Sequence, residues 1–184
     1  MIAQTLIASI AFIALLPLFL VISIKILLEG RPVIYSQIRV GSFGKLFRIY
    51  KFRTMKQDAE KLGPFICQDY EDPRITKFGK FLRKSKLDEL PQLINIIKNE
   101  MSFVGPRPER PVFHEKFKFS VRSWENRLFV RPGITGYAQV NRRINHDPND
   151  KIIEDLKYIK EQSFITDIKI ILKTLVALLD GKPI

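Results

Sequence analysis

A mixed α/β fold that is mainly α is what this sequence predicts: a broken apolar helix at the front, interfacial amphipathic helices, and a small globular domain with short strands. Three observations carry that expectation. Ile2 to Leu28 contains no charged side chain except Lys25. Several later stretches repeat apolar residues at helical spacing with bases on the opposite face. Only VIYSQIRV (33–40) and LFRIYKFRTM (46–55), separated by the glycine-containing GSFG, are rich in strand-forming residues. At 184 residues with 46% hydrophobic content, the chain has room for one compact domain plus an attached element.

The apolar run comes first. As a single helix it would measure roughly 40 Å at about 1.5 Å per residue, more than the ~30 Å hydrocarbon core of a bilayer. Residues 1–30 are therefore expected to be embedded in a membrane, with residues 31–184 forming the domain outside it. A cleaved secretory signal is not expected, because no basic region precedes the run and no small-x-small site follows it. Pro17 removes the hydrogen bond to the Ile13 carbonyl and kinks or breaks the helix. Both a kinked span and a helix–break–helix hairpin satisfy that break. Every basic residue lies at or after Lys25, which places the domain on the cytoplasmic side by the positive-inside rule.

Charge narrows the partners. The formal net charge is +12, and Lys25 and Glu29 cancel within the first thirty residues, so the whole excess belongs to the domain. Such a domain expects an anionic partner: nucleic acid, an anionic membrane surface or a phosphate-rich small substrate. With Cys67 as the only cysteine, an intramolecular disulfide and a Cys-based zinc site are both excluded. No GxxxxGK[ST] loop and no Ser/His/Asp constellation occurs, and neither His114 nor His146 has a metal-ligand pattern.

The remaining elements follow in order. Arg31 to Met55 reads as a hairpin or extended arm, in which Phe47, Tyr50 and Phe52 interleave with Arg48, Lys51 and Arg53. Rings among bases suit nucleic-acid stacking, a membrane-interface belt, or a solvated edge strand. Lys56 to Pro73 is polar, with turns at Gly63-Pro64 and Asp72-Pro73. ITKFGKFLRKSK is a basic amphipathic helix whose end delivers Arg83. Leu90, Leu93, Ile94, Ile96 and Ile97 form one helical stripe, and Pro91 fits its first turn, so Asp88 and Glu89 stand at a helix N-terminus. His114 to Arg127 reads as one charged helix, and Asp147-Pro148 opens another with Ile152, Leu156 and Ile159 on its face. Thr166 or Asp167 is expected to cap a last helix from Ile168 to Leu179, used for packing or at an interface.

Two sets of residues can carry chemistry. Neighbours on a helix point about 100° apart, so Asp88 and Glu89 can serve different partners: one attacking, the other holding a divalent metal with oxygen ligands. Capping the helix start is the competing use of the same pair. In GPRP, prolines on both sides of Arg107 stiffen the backbone and lower the entropy cost of aiming a guanidinium at phosphate oxygens. Arg131, before its own Pro-Gly, repeats the device; an exposed turn arginine is the plain alternative for each.

Taken together, Pro17 in the apolar run, IYKFRTM (49–55), FLRKSKLDELPQL (81–93), MSFVGPRPE (101–109), VRPGITGYAQVN (130–141) and SFITDIKI (163–170) span nearly the whole chain in order. In these segments the chain resembles the bacterial sugar transferase family, the monotopic polyprenyl-phosphate phosphoglycosyl transferases, in its small minimal-core members. The resemblance implies a transferase of the bacterial inner membrane that acts in glycoconjugate biosynthesis, moving a phosphosugar from a UDP-sugar to polyprenyl phosphate. Asp88 would be the nucleophile and Glu89 the second acid, binding Mg²⁺. Arg83, Arg107 and Arg131 would lie near the phosphates, with Lys51 and Arg53 in a basic motif. Membrane lipids, and not nucleic acid, become the expected partners, and Pro17 is expected to break a re-entrant helix that does not cross. The chain departs from the family pattern at Tyr137, where Trp is common, and at Arg142, where Gly is common. A non-enzymatic basic membrane adaptor, binding anionic lipid or nucleic acid, is the alternative function.

Overall fold

A computed structural model describes residues 2–57, 59, 72–141 and 147–180. The expected turn at Gly63-Pro64, together with Cys67, Arg142 and His146, lies outside the described residues. Two helices, α1 (Ile2–Ala14) and α2 (Leu16–Leu28), open the chain, bent by 59° at Leu15. Pro17 occupies the first turn of α2, where its missing N–H has no helical partner to lose. No single described helix is long and apolar enough to cross a membrane, and this bent pair passes such a test only when taken together. Phe12 and Phe19 close the inside of the bend with rings 5.2 Å apart.

Strands β1 (Ile34–Val40) and β2 (Leu46–Phe52) form the expected antiparallel hairpin, with Tyr35 opposite Lys51. Helix α3 (Lys77–Ser85) starts at Thr76, whose side chain accepts from the Gly79 N–H. Gly79 permits its docking: a Cβ there would lie 2.1 Å from the Thr54 carbonyl oxygen. Next come a 3-10 turn (Leu87–Gln92) and α4 (Leu93–Ile97). Here the structure differs from the expected single helix starting at the carboxylates. Pro91 sits inside the turn, and Lys86, at φ 56°, takes the N-cap position without a side-chain cap. Asp88 and Glu89 are therefore not caps.

Strand β3 (Ser102–Val104) leads into the GPRP loop, and α5 (Pro111–Ser120) follows. The single helix expected over 114–127 is also broken. Val121 is extended and Ser123 is left-handed at φ 61°, and a 3-10 turn (Trp124–Phe129) folds back so that the Trp124 indole N–H donates to His114 Nδ1. Strand β4 (Gly133–Thr135) pairs in parallel with β3, and the Gly133 N–H donates to the Pro106 carbonyl at 3.0 Å, which ties the two Arg-Pro segments together. A Cβ on Gly133 would meet the Gly105 nitrogen at 2.1 Å. Short α6 (Tyr137–Val140) precedes α7 (Pro148–Glu161), capped by Asp147, and α8 (Phe164–Leu179). Helix α8 starts earlier than expected because Ser163, not Thr166 or Asp167, accepts from the Thr166 N–H.

Apolar clusters tie these elements together. Ala8 of α1 packs with Phe47, Ile49, Leu93, Ile96 and Met101, while Ile22 and Ile26 of α2 pack with Phe52 and Leu82. Both arms of the bent pair thus rest on the same body, α1 against α4 and α2 against β2 and α3. Their other faces, including Ile7, Ile10, Leu20, Val21 and Ile24, are exposed. In α8 the expected stripe of Ile168, Ile171, Leu172, Leu175 and Leu179 is exposed as well, and only Thr166 and Ile170 are buried. Helix α8 meets the body through its opposite side, and the stripe forms an exposed apolar face.

Candidate active site

Four separate elements deliver charged groups to one spot. The 3-10 turn presents Asp88 and Glu89, which are buried at 7% and 6% exposure. Strand β2 supplies Lys51, whose ammonium donates to Glu89 Oε1 at 2.6 Å. From the loop after β3, Arg107 Nη2 donates to the same oxygen at 2.8 Å. The last turn of α3 places Arg83 with its Nε on Thr54 Oγ1 at 2.9 Å, near enough to Asp88 to favour its ionised form. Asn95 of α4, fully buried, sets the spacing between α4 and β2: its Oδ1 accepts from the Tyr50 N–H at 3.2 Å and its Nδ2 donates to the Arg48 carbonyl at 2.8 Å.

Adjacent acids end with opposite electrostatics. Burial pushes the Asp88 carboxyl up from its ordinary value; Lys51 pulls it back and the Glu89 charge adds to the rise. Burial would raise Glu89 too, but Arg107 and Lys51 overcome it and hold Glu89 well below the usual carboxylate range. Asp88 Oδ1 has no hydrogen-bond partner although it is shielded from solvent. An unpartnered buried carboxylate oxygen is costly for the fold and available for chemistry. Lys86, beside the pair, is lowered to about 8, first by burial and then by Arg107 against the pull of Glu89. Lys51 is lowered by burial despite Glu89.

Of the expected site residues, the structure brings Asp88, Glu89, Lys51, Arg107 and Arg83 together. Arg53 and Arg131 point elsewhere. Arg53, one residue past the end of β2, turns toward the end of α2, where Nη2 donates to the Ile26 and Gly30 carbonyls at 3.2 and 2.8 Å. Arg131 reaches Asn99 Oδ1, just past the C-terminal end of α4, at 3.4 Å. Residues that sequence reasoning missed include Lys86, Asn95, and a buried ionic group made of Glu109, Arg127, Lys151 and Asp155. Glu109 follows Pro108 directly, and an acid fixed to a rigid arginine turn in a basic domain was the available signal.

Among the described residues no group of three or more His, Cys, Asp or Glu side chains could hold an ion. Mg²⁺ is commonly bound through one or two carboxylates plus substrate phosphates, and the unpartnered Asp88 Oδ1, with the Glu89 oxygen not claimed by Lys51 and Arg107, fits that donor set.

Comparison with known proteins supplies the family. A UDP-N-acetylgalactosamine-undecaprenyl-phosphate N-acetylgalactosaminephosphotransferase of Aeromonas hydrophila is 43% identical over 169 residues, covering 90% of this chain and 40% of the relative. A putative undecaprenyl-phosphate N-acetylgalactosaminyl 1-phosphate transferase of Bacillus subtilis is 51% identical over 137 residues, covering 74% and 71%. A UDP-glucose:undecaprenyl-phosphate glucose-1-phosphate transferase of Escherichia coli is 39% identical over 174 residues, covering 91% and 37%. The chain thus spans about two-fifths of the Aeromonas and Escherichia relatives. A family model described as bacterial sugar transferase matches residues 1–181, so the chain belongs to the bacterial sugar transferase family.

Proposed function

We propose that this chain transfers a phosphosugar from a UDP-sugar to a polyprenyl phosphate at the cytoplasmic face of the bacterial inner membrane, through a covalent intermediate on Asp88. The observation that carries the reading is the Asp88 oxygen, buried without a partner beside a second acid that gathers two cations. An Asp88 oxygen attacks the phosphorus next to the sugar, and the phosphoanhydride bond breaks with its electron pair leaving on UMP. A polyprenyl phosphate oxygen then attacks the same phosphorus, breaking its bond to Asp88 and restoring the carboxylate. The relatives' names pair a UDP-sugar with undecaprenyl phosphate, which supports this choice of donor and acceptor.

Repulsion between a carboxylate and a diphosphate is the obstacle, and cations offset it. Arg107 and Lys51 can turn from Glu89 to phosphate oxygens, and Arg83 lies on the Asp88 side. Mg²⁺ held by Glu89 and Asp88 would neutralise phosphate charge when bound. Arg53 and Arg131, assigned to phosphate by resemblance, support the site from outside it in this reading.

A re-entrant geometry is part of the proposal. Because α1 and α2 both pack on one body, a crossing segment would have to pull α1 off α4. Cysteines placed near Met1 should then label from the cytoplasmic side, and labelling from the periplasm would remove the hairpin.

The activity is tested by UMP release from a panel of UDP-sugars with undecaprenyl phosphate and Mg²⁺. One sugar should support release, and a chelator should abolish it. The rate should fall on acidification at a higher pH than an ordinary aspartate would dictate, since Asp88 must be ionised, and fall again near pH 8 as Lys86 loses its charge. No UMP from any sugar, with salt-sensitive binding to anionic vesicles intact, would favour the adaptor.

A further inference from the structure

Arg107 extends from a loop that lacks regular structure, yet its guanidinium reaches Glu89 Oε1 at 2.8 Å. Five backbone attachments hold that loop. Gly105 N–H donates to the Thr135 carbonyl at 2.8 Å, and Gly133 N–H to the Pro106 carbonyl at 3.0 Å. Val40 N–H reaches the Glu109 carbonyl at 2.9 Å and Arg39 Nη1 the Pro108 carbonyl at 3.1 Å. The fifth falls on Arg107 itself: Arg127 Nη2 donates to the Arg107 carbonyl at 2.7 Å.

Arg127 is a costly residue to bury. Its side chain is only 3% exposed, its Nη2 lies 2.7 Å from Asp155 Oδ2, and its guanidinium stacks 4.4 Å from the Trp124 ring centre. Glu109, two residues after Arg107, faces Arg127 Nη1 at 3.8 Å and is ion-paired with Lys151. Burial alone would raise Glu109, but Lys151 and Arg127 bring it down to about 2, so the group stays ionised. Buried ion pairs seldom stabilise a fold more than apolar packing of the same volume. What an apolar side chain could not do here is donate to the Arg107 carbonyl while anchored to α7.

We infer that Arg127, clamped by Asp155, is a positioning residue that holds the Arg107 backbone so that its guanidinium meets the donor phosphates. This rests on the reading of Arg107 as a phosphate ligand. Since Pro106 and Pro108 restrict the backbone on either side, fixing the carbonyl between them fixes the Cα–Cβ direction from which the side chain sets out. Arg127 touches neither Asp88 nor Glu89 and acts only through Arg107.

The test is a cycle of Arg127→Lys, Arg107→Ala and the double variant in the full chain. Lysine keeps the charge facing Asp155 but lacks the fixed planar Nη2 group that lies 2.7 Å from both the Asp155 carboxylate and the Arg107 carbonyl. UMP release by R127K should show a kcat about 10- to 100-fold lower with KM for the UDP-sugar within about threefold. In the R107A background the same change should cost less than about twofold, because the group being aimed is gone. Full multiplication of the two losses would overturn the proposal. Hydrogen exchange gives a second readout that needs no activity. In R127K the Val40 and Gly133 amides, which donate to the loop, should exchange about tenfold faster while amides in the middle of the β1–β2 hairpin stay unchanged. Unchanged Val40 and Gly133 exchange, or uniform loosening of the whole chain, would overturn it. If the wild type releases no UMP, the transferase reading fails by itself and the exchange arm still decides whether Arg127 fixes the loop.

Discussion

An Asp88→Asn variant is expected to lose UMP release by at least about a thousandfold and, at the same time, to melt a few degrees higher than the wild type. Loss of activity follows from loss of the nucleophile. The gain in stability follows from burial, because the folded state raises the Asp88 pKa, so folding disfavours the ionised form. Stability tied to the protonated acid is complete below its unfolded pKa and is lost as pH rises through the folded one. At neutral pH the charge is a net cost, and a neutral amide removes it. Each kcal/mol recovered raises the melting temperature by about 2–4 °C for a chain of this length. Thermal unfolding followed through Trp124, the only tryptophan, measures it. Near-normal turnover would remove Asp88 as nucleophile, and a lower melting temperature would show that its carboxylate supports the fold.

Glu89→Gln, one residue on, should do the reverse to stability. Lys51 and Arg107 would lose the negative charge on which both converge, and breaking a buried charge pair costs about 3–5 kcal/mol. Arg107 is partly exposed, so the lower end applies, a drop of roughly 10 °C. Because the folded Glu89 is held well below its usual pKa, its contribution is present above the unfolded value and disappears as pH falls through the folded one. The difference between wild type and E89Q should therefore be full at pH 7 and shrink in acid. Equal melting temperatures at pH 7 would show that the two cations do not depend on Glu89. UMP release by E89Q should fall too, which leaves the opposite melting shifts as the measurement that separates the two acids.

Much of this was legible in the chain. Strand-formers around GSFG gave the hairpin, the basic amphipathic pattern gave α3, and Asp147-Pro148 gave the start of α7, because those features depend on neighbours in sequence. Resemblance to the family pointed to Asp88, Glu89 and Arg107, and the geometry brings these three together. Side-chain direction was less legible. Arg53 and Arg131 sit in the same kinds of motif as Lys51 and Arg107, yet one closes the end of α2 and the other reaches Asn99. Their partners lie 23 and 32 residues away, and nothing local encodes that choice. The Arg127–Asp155 pair was hidden for the same reason, as each residue looks like ordinary helix-surface charge until the fold buries it.

Lys51, Phe52 and Arg53 are consecutive, and each is fastened to a different thing: Glu89, the apolar face of α2, and the last carbonyls of α2. With a rise of about 3.3 Å per strand residue, the attachments at Lys51 and Arg53 are roughly 7 Å apart. This short piece of backbone works as a depth gauge. In the proposed membrane setting, wherever α2 settles relative to lipid headgroups, Glu89 would settle a fixed step away, and a thinner or thicker bilayer would carry both together rather than change the distance between them.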